Sequence, residues 1–134
     1  GSLWAVLIAS ALFGVLHLWN PSVTPLSTAN TVLAGVLLSL AYLKTRALWL
    51  PIGLHWAWNF TMGPVLGLPV SGLGIAPTLL RAEPTGPAWL AGGAYGPEGG
   101  LIMTVVCLAA IAWLARTRKI APSPAMQEVL KWSG

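Results

Sequence analysis

Four apolar runs, nearly free of charge and separated by Pro, Gly or basic residues, constrain this chain more than any other feature. They extend from Leu3 to Trp19, from Asn30 to Leu43, from Ala47 to about Leu68 and from Leu101 to Ala115. Such runs partition into lipid, where every backbone amide and carbonyl must be satisfied within a helix or a closed sheet. Their lengths, about 14 to 22 residues, lie near the range of membrane helices. The expected fold is therefore all-α: a polytopic transmembrane helical bundle with about four membrane segments. Composition agrees, since 56% of the 134 residues are hydrophobic and 7% are charged, against roughly a quarter charged in soluble domains.

The first run stops at Asn20-Pro21, and its Ser10, Gly14 and His17 share a small, polar face on which a second helix can pack closely. The second run repeats the device with Thr31, Gly35, Ser39 and Tyr42. It spans only about 14 residues, roughly 21 Å of helix. Two readings follow: the helix begins earlier, near Ser27, or the loop from Asn20 to Ala29 folds into the protein at membrane depth. The second is the expectation, because it brings His17 toward the depth of His55. Trp49 anchors the start of the third run, with Pro51 in the first turn, where its missing N–H costs nothing. Gly and Pro dominate from Gly67 to Gly100, a long loop. The tail beyond Lys119, with Pro122 and Pro124, reads as mostly disordered.

The net charge of +4 is carried by short basic groups, Lys44 to Arg46 and Arg116 to Lys119. These are topological signals, not a basic face for nucleic acid, and the positive-inside rule puts both on the cytoplasmic side with the Gly/Pro loop outside. One cysteine, Cys107, excludes an internal disulfide and a cysteine metal cluster. Gly1-Ser2 leads straight into the first run without a basic leader, which predicts that this chain is the C-terminal part of a longer protein.

Polar side chains inside apolar runs mark the candidate site. His55 and Asn59 lie four residues apart, on one helical face, and His17 ends the first run. An intramembrane histidine is costly and normally lines a polar cavity, although a packing hydrogen bond is the bland alternative. The eight tryptophans serve anchoring and packing. A His-Glu-x-x-His zinc helix is absent, and so are any Asp and a Gly-x-Ser-x-Gly elbow for serine chemistry. Glu98, in a Gly-rich loop before the fourth run, reads as a cap or turn residue.

Phe13-x-x-x-His17, Asn20-Pro21, the Lys44-Thr45-Arg46 turn, Leu48-Trp49-Leu50-Pro51-Ile52-Gly53-Leu54-His55-x-x-x-Asn59 and Gly96-Pro97-Glu98-Gly99-Gly100 together resemble the CPBP family. These are the intramembrane CAAX-type and bacteriocin-processing proteases, also called Abi proteins. The resemblance extends from Leu3 to about Ala115. It implies the C-terminal part of such a domain over residues 1–119, followed by a cytoplasmic tail over 120–134. It also implies an endopeptidase acting on a peptide or protein substrate, lipidated in some members, in a multi-pass protein of the bacterial cytoplasmic membrane in contact with lipid. The implied catalytic residues are His17, His55 and Asn59, with His55 and Asn59 polarising the carbonyl. By the resemblance a glutamate of the family's upstream Glu-Glu-x-x-x-Arg motif activates the water, with His17 assisting it or binding a metal; zinc on His17 and His55 and a metal-free mechanism with that glutamate as base are equally open. The family's Glu-Glu-x-x-x-Arg motif does not occur in this chain, so the fragment alone is expected to be inactive. The competing class is non-enzymatic: a membrane immunity or binding protein, or a transporter fragment with proton-relay histidines.

Overall fold

A computed structural model describes residues 1–131. The chain is helical, with no strand among the described residues and a single isolated bridge between Val70 and Leu73. The long elements are α1 (Ser2–Leu16), α2 (Pro25–Thr45) and α3 (Trp49–Phe60), the last running into a π turn, Thr61–Val65. A short α4 (Ala88–Ala91) precedes α5 (Leu101–Arg116) and α6 (Pro124–Lys131). The central post is α2, which packs against α1, α3 and α5.

The small-residue stripes explain the α1–α2 contact. A Cβ on Gly35 would sit 2.8 Å from Ser10 Cα, and one on Gly14 would meet a Val32 methyl at 2.5 Å. Neither space exists, so glycine at both positions sets how closely the helices approach. The stripe on α2 is buried at Thr31 and Gly35 but runs out toward Tyr42, which is exposed.

Two expectations about helix ends are corrected. The helix α2 begins at Pro25 rather than after a loop at membrane depth: Thr24 Oγ1 accepts from Ser27 N at 3.0 Å, and Ser27 Oγ accepts from Thr24 N at 2.7 Å. This reciprocal cap with Pro25 in the first turn is a strong start signal. The third run is not one helix to Leu68. Pro64 cannot donate to the i−4 carbonyl, so the helix widens into the π turn, closed by Leu66 N to Thr61 O at 3.0 Å.

Of the four expected segments, α2, at 21 residues, is the one described helix long and apolar enough, by length and composition, to cross a membrane. The helices α1 and α5, described over 15 and 16 residues, are shorter and apolar, α1 closing at the C-cap His17 and α5 opening after the N-cap Gly100. The tail, expected to be mostly disordered, contains α6, whose first turn is held by Gln127 N to Ser123 O at 2.9 Å.

The packing pattern is inverted relative to a soluble domain. Ser10, Ser27, Asn30, Thr31 and Thr45 are buried, whereas Leu3, Trp4, Ile8, Trp49, Ile52, Trp56, Val105 and Trp113 face outward. Small and polar contacts hold the helices together, and the large apolar side chains are left for lipid. Lys44 Nζ donates to Thr117 O at 2.9 Å, so the two basic groups lie at one end of the bundle, as their charge pattern requires.

Candidate functional site: a two-histidine cavity

His17 is the C-cap of α1, and its Nδ1–H donates to the Phe13 carbonyl at 2.6 Å. That bond satisfies a carbonyl at the helix end and leaves Nε2 with its lone pair. Phe13 packs against both imidazoles: its ring centroid is 4.6 Å from that of His17 and 5.5 Å, edge-on, from that of His55. Gly35 makes room for this, since a Cβ there would sit 3.3 Å from Phe13 Cβ. The two histidines, 38 positions apart in sequence, therefore meet through one aromatic ring.

Both histidines line a cavity of about 150 Å³, together with Asn30, Trp58, Ser71 and Glu98. Its remaining wall is mainly apolar, with Cys107 at the α5 side. Asn59 stands apart from it. Its Nδ2 lies 3.2 Å from His55 Nε2, and it shares with His55 a second, more open cavity of about 420 Å³ lined by Trp56, Phe60, Pro64 and Ile75. Asn59 Oδ1 is buried without a hydrogen-bond partner. His55 is thus the wall between the two spaces and the one site residue common to both.

Sequence reasoning passed over two further polar residues. Asn30 is 1% exposed, and every hydrogen-bonding group of its amide has a partner. Nδ2 donates to the carbonyls of Glu98 at 2.8 Å and Gly100 at 2.9 Å, and Oδ1 accepts from Thr104 Oγ1 at 2.6 Å. Glu98, in a 3₁₀ turn (Pro97–Gly99), does not cap α5. Its Oε1 accepts from Trp58 Nε1 at 2.9 Å, and its Oε2 from Ser71 N and Ser71 Oγ at 2.5 and 2.6 Å. The criterion applied to His55, a strongly polar group in an apolar setting, also selects Asn30. Glu98 carries its own signal, a carboxylate in a Gly/Pro stretch with little charge.

The loop that carries Glu98 is built, not slack. Gly96 has φ +93°, and a Cβ there would lie 1.9 Å from Pro69 O. Tyr95 is buried, Gly72 N donates to Tyr95 O at 2.8 Å, and Leu79 and Leu80 amides donate to the carbonyls of Pro64 and Val65. Those last bonds take up carbonyls at the π turn.

The residues present do not make a zinc site by themselves. Among the described residues no group of three or more His, Cys, Asp and Glu side chains is placed to hold a metal ion, and the Phe13 ring packs on both imidazoles. Zinc needs at least three protein ligands within about 2.3 Å. No step below passes through a metal.

A mainly apolar cavity lined by two imidazoles and a carboxylate, set in a bundle that turns apolar side chains outward, defines the class: a helical membrane protein with a chemically equipped interior. Residues 1–61 match the family described as Type II CAAX prenyl endopeptidase Rce1-like, in agreement with the CPBP and CAAX-protease resemblance of the sequence. The match covers α1, α2 and α3 and hence His17, His55 and Asn59. The match lies on the N-terminal part of the chain, whereas the resemblance of the sequence extends to about Ala115. The family is one of membrane-embedded proteases and supports a protease function in general terms. No curated protein and no solved structure matches the chain.

Proposed function

We propose that this chain forms part of an intramembrane endopeptidase that hydrolyses a peptide bond beside His55, in a multi-pass protein of the cytoplasmic membrane. The observation that carries the reading is the convergence of His17 and His55 on one cavity with room for several waters. The family match over the same helices adds to it. In this reading His17 Nε2 accepts one hydrogen of the attacking water. His55 and Asn59 act on the scissile carbonyl, where a donor in a water-poor site is worth about 3 to 4 kcal/mol toward the oxyanion. Asn59, bonded to His55, also fixes the ring of its partner. The open cavity beside Trp56 and Phe60 suits an extended or lipid-modified peptide entering from the bilayer.

The test is cleavage of a farnesylated peptide with a C-terminal CAAX sequence by the full-length protein in liposomes. Wild-type protein should release the C-terminal tripeptide, and His55→Ala should abolish release. Binding without cleavage by the wild-type protein would favour an immunity or binding protein. Histidine-dependent proton flux without cleavage would favour a transporter.

A further inference from the structure

We infer that Glu98 is a positioning residue: its carboxylate joins α3 to the turn that backs the end of α1, and so fixes how His55 and His17 face one another. The inference rests on the hydrolytic reading above, and in it Glu98 touches neither substrate nor the reacting water.

Glu98 lines the histidine cavity, yet both its oxygens are turned to protein donors. Oε1 accepts from Trp58 Nε1 at 2.9 Å, and Trp58 stands one turn from His55 on α3, in the wall of the same cavity. Oε2 accepts from Ser71 N and Ser71 Oγ. Hydrogen bonds to an ionised acceptor are roughly twice as strong as neutral ones, so this one group holds two segments firmly.

Ser71 belongs to a tight turn from Val70 to Leu73, closed by a reciprocal pair of backbone bonds at 2.9 Å. Both central residues are left-handed, Ser71 at φ +49° and Gly72 at φ +81°, as a turn of the I′ kind requires. A serine keeps that conformation where its surroundings over-determine it, and the carboxylate contributes two bonds that do so. The turn is wedged in place. A Cβ on Gly72 would overlap Pro21 O, and Gly72 N donates to Tyr95 O at 2.8 Å. Pro21 follows Asn20, whose N donates to the His17 carbonyl at 3.1 Å. One carboxylate thus connects the helix that carries His55 with the turn against which the His17 corner rests. From α2, Asn30 Nδ2 holds the Glu98 carbonyl at 2.8 Å and anchors the buttress to the central post.

An amide cannot serve donors on both sides. Glu98→Gln would leave an acceptor for Trp58 or for Ser71 and set its own NH2 against the other. Trp58→Phe removes one of the opposed N–H groups, so the chemistry names the second change that relieves the first.

Single-turnover cleavage of the farnesylated peptide by full-length protein in liposomes separates rate constant from amplitude. A group that only stabilises the fold changes the amplitude, which counts folded molecules, and leaves their rate constant alone. Misplacement of reacting groups lowers the rate constant itself, and Glu98→Gln should lower it by about thirtyfold or more, with substrate affinity within about threefold of wild type. Trp58→Phe should lower it by about fivefold to twentyfold, and the double variant Trp58→Phe/Glu98→Gln should be no slower than Glu98→Gln alone. Losses that multiply in the double variant overturn the inference. So does a Glu98→Gln rate constant within about fivefold of wild type while His55→Ala abolishes cleavage. Should Glu98→Gln fail to fold, Trp58→Phe decides: a rate constant within about twofold of wild type overturns the inference. Wild-type cleavage by His55→Ala would instead remove the hydrolytic reading itself.

Discussion

Replacing Asn30 by Asp exchanges the amide NH2 for an oxygen with almost no change in volume, yet the structure makes it a damaging substitution. The Asn30 amide gives two hydrogens to two carbonyls, those of Glu98 and Gly100. An Asp carboxylate would set a negative oxygen against both, inside a site that is 1% exposed. Removing a buried partner costs about 1 to 3 kcal/mol per group left unsatisfied. Asn30→Ala takes a partner from Glu98 O, Gly100 O and Thr104 Oγ1, of which Gly100 O keeps Met103 N at 3.1 Å, so a loss of about 2 to 3 kcal/mol is expected. Asn30→Asp adds repulsion and should lose more than Asn30→Ala. For a chain of this size that is a fall in melting temperature of roughly 10 °C or more. Cys107 offers the assay. It is the only cysteine, is 0% exposed and lies three residues from Thr104 on the same helix. A maleimide dye that fluoresces on reaction with thiols will therefore report unfolding in detergent. Refutation would be Asn30→Asp melting within about 1 °C of wild type, or melting above Asn30→Ala.

Gly35→Ala should destabilise by about 1 to 3 kcal/mol in the same assay, because its Cβ would press on Ser10 Cα across the α1–α2 seam. Gly53→Ala, at an α3 position with open space around it, should be neutral or slightly stabilising. In the cleavage assay His17→Ala should abolish activity, and Asn59→Ala should cost roughly a hundredfold. A chelator should leave the rate within twofold; a loss restored by zinc would demand a third ligand beyond those described here. Single-cysteine labelling in intact cells should modify a cysteine at Thr85 from outside and one at Thr117 only after permeabilisation. The reverse pattern would invert the topology.

The sequence by itself determined the helical class, the two basic groups at one end and the standing of His17, His55 and Asn59 as strongly polar groups at the end of α1 and within α3. These are legible because each follows from local chemistry: an apolar run free of charge, a Pro in a first turn, a costly polar group at helical spacing. Only the tertiary structure decided what these groups face. Glu98 reads as a turn residue until Trp58 and Ser71, 40 and 27 positions away, are brought against it. Asn30 reads as the beginning of a run until the capping of α2 by Thr24 carries it inside the helix and under the Glu98 loop. Asn59 shares a face with His55, yet the cavity behind Phe13, enclosed by α1, α2, α5, the Glu98 loop and the Leu54, His55 and Trp58 side of α3, does not include it. Periodicity along one helix fixes which residues are neighbours on its surface, whereas the closeness of α1 to α2, set by Gly14 and Gly35, fixes which surfaces meet.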